Sequence, residues 1–204
     1  TLAGALSRAH TAGVVHRDIK PANVMLTDAS HPVLMDFGLA RMAAGTQLTQ
    51  DGSALGTAAY MAPEQVRGDE VDGRADIWAL GVLIYEMLTG RSPFGGEYAQ
   101  AALYAILHEE PAPLTEAAPG TPYAVEQIVE RCLAKDPARR FASADALQEA
   151  LTTLRDELAA GTRVERFTRL RRLRRRRRLL AATAVLVVLA AAIVGWRIQC
   201  ISDI

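Results

Sequence analysis

Apolar side chains recur at helical spacing over residues 2–11, 98–108, 123–133 and 143–158, with polar residues between them. That pattern predicts helices with one face in a core and the other in water. The first of these stretches stops at Gly13, a residue suited to a helix C-terminus. Residues 77–89 are apolar on nearly every face and stop at Gly90, which predicts a fully buried central helix. Proline-rich connections separate the later helices, at Pro111-Ala112-Pro113 and between Pro119 and Pro122.

Two short apolar runs break the helical pattern: Val24-Met25-Leu26 and Val33-Leu34-Met35. The residues between them include Asp, Ser and Pro, which favour a turn, so the stretch predicts a β-hairpin. In an antiparallel pair, the residue entering the first strand and the residue leaving the second lie at the same end. Asn23 and Asp36 then converge, bringing an amide oxygen and a carboxylate to one small volume. Hard oxygen ligands of this kind, without His or Cys, suit a Mg²⁺ ion that keeps its waters and bridges to phosphates.

A third pattern dominates the C-terminal end. Residues 179–196 run for 18 positions without a charge, long enough at ~1.5 Å per residue to cross most of a ~30 Å hydrocarbon core as a helix. The run lies too far along the chain for a signal peptide, so it predicts a single membrane span. Charge supports this reading. The formal net charge is zero, yet Thr1–Thr162 holds 12 Lys and Arg against 21 Asp and Glu, a net −9, while Arg163–Ile204 holds 11 against 2, a net +9. Ten of those 11 Arg fall between Arg163 and Arg178. Basic residues on the N-terminal flank stay in the cytoplasm, and Trp196 suits the opposite interface. This places the N-terminal part in the cytosol, the chain in the cell membrane and the C-terminus outside. Cys132 and Cys200 then lie on opposite sides of the bilayer and cannot pair. The Arg block is read as a contact for anionic lipid headgroups. Nucleic acid is not expected, because Phe167 is the only interleaved aromatic residue. Residues 197–204 are too few to fold.

The densest chemistry lies before the hairpin and within it: His16-Arg17-Asp18-Ile19-Lys20-Pro21-Ala22-Asn23, then Asp36-Phe37-Gly38. Further on come Gly56-Thr57-Ala58-Ala59-Tyr60-Met61, Ala62-Pro63-Glu64, Asp76-Ile77-Trp78-Ala79-Leu80-Gly81 and Lys135-Asp136-Pro137-Ala138-Arg139-Arg140-Phe141. Several ordered motifs at these spacings are far more specific than any one of them. In them the chain resembles the C-terminal lobe of bacterial Hanks-type serine/threonine protein kinases. The resemblance implies a protein kinase-like fold, mainly α, with a small β-hairpin at the catalytic loop. The expected layout is a kinase C-lobe over 1–158, an Arg-rich juxtamembrane linker over 159–178, a transmembrane helix over 179–196 and a short extracytoplasmic tail over 197–204.

It also implies an activity: transfer of the ATP γ-phosphate to Ser or Thr hydroxyls of proteins, with Mg²⁺. That reaction needs positioning of the hydroxyl and neutralisation of charge on the phosphate oxygens. Asp18 is the candidate to orient the hydroxyl and accept its proton. Lys20 is the candidate to reach the γ-phosphate, and a Lys there goes with Ser/Thr specificity in the family. Asn23 and Asp36 would hold the metal ions. The family uses the ring of His16 to support the loop, and Thr57 would bond near Asp18 and Lys20. Phe37 and Gly38 complete the metal motif, and Phe37 and Trp78 are expected as core or hinge aromatics. Asp76 would anchor the backbone of the catalytic loop, and Glu64 and Arg140 would form a buried ion pair. His10, His31 and His108 carry no ligand spacing, and Cys132 is expected in the core.

Regulation is read from Arg17, whose guanidinium can pair with a phosphate on a nearby loop. Thr46, Thr49 and Ser53, in a polar segment with little apolar periodicity, are the candidate phosphorylation sites. A homodimer phosphorylating itself in trans fits the same picture. The Gly-rich loop, strand Lys and helix Glu that precede the C-lobe in such kinases do not occur in these 204 residues, and no Gly-x-Gly-x-x-Gly follows. The N-terminal lobe is therefore absent from this sequence, which opens at Thr1 and reads as truncated. The expectation is that the chain alone binds ATP poorly. A membrane-anchored pseudokinase or regulatory interaction module is the rival reading, and the intact Asp18, Lys20, Asn23 and Asp36 favour the enzyme.

Overall fold

The computed structural model describes residues 1–28, 31–37, 58–96 and 98–160. Seven α-helices and one hairpin are found among them. These are α1 (Leu2–Thr11), β1 (Val24–Leu26), β2 (Pro32–Leu34), α2 (Pro63–Arg67), α3 (Arg74–Thr89), α4 (Ala99–His108), α5 (Leu114–Ala117), α6 (Tyr123–Cys132) and α7 (Ala144–Ala159). Single 3₁₀ turns occur at Pro21–Asn23 and Pro137–Arg139. Gly38, Thr46, Thr49, Ser53, Thr57, the Arg-rich block and the apolar run 179–196 lie outside the described residues. Among the described residues, no helix is long and apolar enough to cross a membrane.

Helix α3 is the axis of this mainly α lobe. Its residues Ile77, Leu80 and Leu83 face a core shared with Leu6 of α1, Ile19, Phe141 and Leu147 of α7. Trp78, Val82 and Tyr85 face a second core with Phe94, Ile106, Leu114, Val129 and Leu133. A helix buried on both sides must be apolar on both sides, which is why 77–89 shows no polar stripe. Each fully buried Ile or Leu contributes about 1.5–3 kcal/mol of transfer free energy. α6 packs tightly on α3 because Gly81 has no side chain: a Cβ there would lie 2.5 Å from the Cys132 Cβ. Cys132 is fully buried, and loss of water pushes its thiol up to about 12. It is an inert core residue.

The hairpin is antiparallel, pairing Val24 with Leu34, Met25 with Val33 and Leu26 with Pro32. The second strand sits one residue earlier than the predicted 33–35. The Met35 N–H still donates to the carbonyl of Asn23 at 2.9 Å, in register with those pairs, so the bonding of the hairpin reaches the residue before Asp36. Helix α3 starts at Arg74 rather than at 77, since the three added residues are those with polar or small side chains that apolar periodicity overlooks. α7 begins where Ser143 caps it, its hydroxyl accepting from the Ala146 N–H at 3.2 Å. The short helices α2 and α5 were not predicted, because one turn is too brief to show a period.

Candidate active site

The chain between α1 and β1 has no regular structure except the turn at 21–23, so its shape is set by bonds to other elements. The main anchor is Asp76, at the first turn of α3 and 1 % exposed. Its carboxylate accepts from the backbone N–H of His16 and of Arg17, each at 2.8 Å. Its Oδ2 also lies 2.8 Å from Nε2 of His10, on α1. A buried carboxylate needs several donors, and here three groups supply them, two from the loop and one from α1. His10 reaches Asp76 past Gly73, where a Cβ would come within 2.8 Å of the imidazole.

Held in this way, Arg17 adopts a left-handed backbone with φ of 68°. Such a conformation costs a non-glycine residue on the order of 1 kcal/mol or more and persists only where surrounding bonds impose it. His16 is fully buried beneath the loop. Its Nδ1 accepts from the Asp18 N–H at 3.3 Å and its Nε2 donates to the Met35 carbonyl at 2.8 Å. Those partners fix the Nε2–H tautomer. The ring also contacts Phe37, with centroids 4.7 Å apart. Phe37 itself is 39 % exposed, so it flanks the loop rather than lying in the core, whereas Trp78 is fully buried.

Three predicted residues meet directly. Oδ2 of Asp18 receives Nζ of Lys20 at 2.9 Å and Nδ2 of Asn23 at 3.0 Å. The same Asn23 amide nitrogen donates to the Asp18 carbonyl at 2.7 Å. Asn23 is buried, and spending its nitrogen on Asp18 leaves its amide oxygen as the outward-acting group. Asp36 is exposed, with φ of 61°, the second left-handed non-glycine residue among those described. It is tied to the same loop through Met35, whose N–H bonds Asn23 and whose carbonyl accepts from His16. Both left-handed residues therefore flank one small region.

The supporting ion pair is equally well defined. Arg140, 2 % exposed, meets Glu64 of α2, 3 % exposed, through two parallel bonds of 2.6 and 2.7 Å. The guanidinium also donates to the carbonyls of Ala134 at 2.8 Å, Arg74 at 3.0 Å and Lys135 at 3.4 Å, so its full set of donors is used. Its face lies 5.0 Å from the centre of the Trp78 ring.

Sequence reasoning missed three contributors. His10 had no ligand spacing because its partner is a carboxylate 66 residues away. Tyr60, whose hydroxyl donates to Glu86 of α3, ties the approach to α2 onto the central helix; burial, then that bond and the Glu86 charge, raise its phenol well above the ordinary range. Gln65 bridges α2 to the catalytic loop. The Glu at the end of 77–89 was the one available signal, an acid in an otherwise apolar stretch.

A carboxylate steadied by an ammonium and an amide, on a loop to which the residue before an exposed second acid is bonded, is an arrangement suited to phosphoryl transfer. The model of the protein kinase domain matches residues 1–152. The chain belongs to the protein kinase family. The chain is 42 % identical over 156 residues to serine/threonine-protein kinase PknL of Mycobacterium tuberculosis, covering 76 % of this chain and 39 % of that one. It is 41 % identical over 141 residues to serine/threonine-protein kinase PknB of Mycobacterium leprae, covering 69 % and 23 %. It is 44 % identical over 146 residues to a probable serine/threonine-protein kinase of Streptomyces coelicolor, covering 71 % and 22 %. The chain thus spans well under half the length of these curated relatives, and its assignment is to the serine/threonine type of bacterial kinase.

Proposed function

We propose that the protein transfers the γ-phosphoryl group of ATP to Ser or Thr hydroxyls of other proteins. The observation that carries this reading is the Asp18 carboxylate, with Oδ2 engaged by Lys20 and Asn23. Its Oδ1 has no bond to a described residue and is left to take the proton of the incoming hydroxyl. Lys20, two residues on, shields that carboxylate and offers its ammonium to a transferring phosphate. The donor set also suits Mg²⁺: the amide oxygen of Asn23, which bonds no described residue, and the exposed carboxylate of Asp36 are hard ligands. Bound there, the metal would neutralise charge on the phosphate oxygens.

Two further proposals rest on the sequence. Residues 179–196 span the cell membrane once, with the Arg block on anionic headgroups and the kinase lobe in the cytoplasm. A periplasm-dependent reporter fused after Ile204 should be active, and activity only of a cytoplasm-dependent reporter would reverse the orientation. The 204 residues contain no Gly-x-Gly-x-x-Gly loop, so on their own they hold nucleotide weakly and transfer phosphate slowly.

The test of catalysis is Asp18→Asn in the protein expressed as its gene encodes it. Transfer of labelled phosphate to a Ser/Thr protein substrate should fall about 10²- to 10⁴-fold with the fold intact. Unchanged transfer would remove Asp18 from the reaction.

A further inference from the structure

Helix α2 carries Gln65 on its first turn, and both ends of the Gln65 amide are used. Its Oε1 accepts from the Ala62 N–H at 2.9 Å, closing the N-terminus of α2. Its Nε2 donates to the carbonyl of Arg17 at 2.9 Å. One partner is a backbone donor and the other a backbone acceptor, so only this orientation of the amide satisfies both. A Leu at this position would satisfy neither, and an ionised Glu only the first.

The Arg17 carbonyl belongs to the peptide whose N–H is that of Asp18, and that N–H is held by Nδ1 of His16. The two faces of one peptide plane are therefore fixed by different elements: its oxygen by α2 and its nitrogen by the buried imidazole. The N–H of Arg17, one peptide earlier, is held by Asp76 of α3. Rotation of the peptide entering Asp18 is the motion that would swing its carboxylate, and Gln65 opposes it from the oxygen side.

We infer that Gln65 is a positioning residue for phosphoryl transfer: it makes the orientation of Asp18 depend on α2 being docked against the catalytic loop. This rests on the kinase reading, which supplies the role of Asp18. When α2 moves away, the Arg17 carbonyl loses its donor and the Asp18 peptide is held on one side only.

The test compares Gln65→Leu and the nearly isosteric Gln65→Glu with wild type, in the protein expressed as its gene encodes it. At neutral pH both should lower kcat about three- to tenfold, the effect of one hydrogen bond, with KM for nucleotide unchanged. The Glu variant adds a signature that a general loss of stability would not produce. Protonated, its carboxyl both accepts from Ala62 and donates to Arg17; ionised, it only accepts. Its kcat relative to wild type should therefore recover as pH falls, while the Leu variant stays low throughout. His16, Arg17, Asp18 and Lys20 on the loop, Glu64 and Arg67 on α2 and Asp76 under the loop are common to all three proteins, so their own titrations cancel in that ratio. A pH-independent ratio for the Glu variant, beside active wild type, overturns the inference. Backbone hydrogen exchange separates the two readings if wild type shows no phosphate transfer, a result that counts against the kinase reading alone. Protection at Asp18 should drop in both variants at neutral pH, with protection at Ala62 lost only in the Leu variant. Unchanged protection at Asp18 in both variants overturns the role of Gln65.

Discussion

Two buried carboxylates, Glu64 and Asp76, stand twelve positions apart and are neutralised in different ways. Glu64 meets a full cation, the Arg140 guanidinium, through two bonds, and that cation is itself saturated by backbone carbonyls. Asp76 meets two backbone N–H groups and an imidazole, with no Lys or Arg side chain among its described partners. The first arrangement joins α2 to the chain between α6 and α7, so it serves the architecture. The second takes its two backbone donors from the loop that carries Asp18, so it shapes the site. A buried acid thus has two uses: paired with a cation it fastens elements together, and given backbone donors it holds a left-handed loop in shape.

The sharpest way to break the comparison is to remove one partner from each arrangement. Glu64→Ala leaves a fully desolvated guanidinium, and the loss should be about 3–5 kcal/mol in urea or thermal unfolding. Replacing both partners, as in Glu64→Met with Arg140→Leu, should recover a substantial part of that loss, because the uncompensated charge disappears with the acid. A single variant as stable as wild type would show that Arg140 finds its compensation elsewhere.

Asp76→Asn is the matching change on the other side. The amide keeps one acceptor and turns an NH₂ toward backbone donors, a cost of about 1–3 kcal/mol for the groups left unpaired. The contrast lies in the second readout. Asp76→Asn should lower kcat by more than its loss of stability explains, since the His16 and Arg17 amides no longer define the approach to Asp18. For Glu64→Ala, residual activity should track the folded fraction. If the two variants lost activity in the same proportion to stability, the division between fastening and shaping would fall.

How much of this could be read from the sequence follows from the range of the interactions. The central helix declared itself because burial on two sides leaves an apolar run with no polar stripe. The hairpin was visible because strand and turn residues are local signals, and only the start of its second strand differs: Pro32, which reads as a turn residue, pairs with Leu26. Asp18, Lys20 and Asn23 lie within six positions of one another, so their meeting was encoded in one short motif. His10 and Gln65 were invisible for the opposite reason. Each acts on a partner more than 45 positions away, and neither a His on an amphipathic helix nor a Gln after an acid carries a pattern that names that partner.

Lys135 gives the smallest effect and the finest test of the contrast. Its ammonium is half-buried beside the Arg140 side of the comparison, 3.9 Å from the Phe94 ring centre and 5.1 Å from that of Trp78. It donates to the Ile106 carbonyl at 2.7 Å, at the end of α4. Loss of water pushes it down to about 8 from 10.5, while Glu110 and Glu109 oppose the change. The sign follows from proton binding. Between about 8 and 10.5 the unfolded chain holds this proton and the folded chain has released it, so stability rises with pH across that window. Below about 8 both states are charged, and the folded state carries the cost of the buried ammonium in full. Because the group is only half-buried, solvent screening keeps the whole change to about 1 kcal/mol or less. Urea unfolding at intervals from pH 7.5 to 10.5 should show this alkaline gain in wild type and a flatter profile in Lys135→Met. The same flattening in Asp76→Asn, which leaves Lys135 untouched, would mean that the alkaline titration belongs to the loop anchor and not to the cations around Trp78.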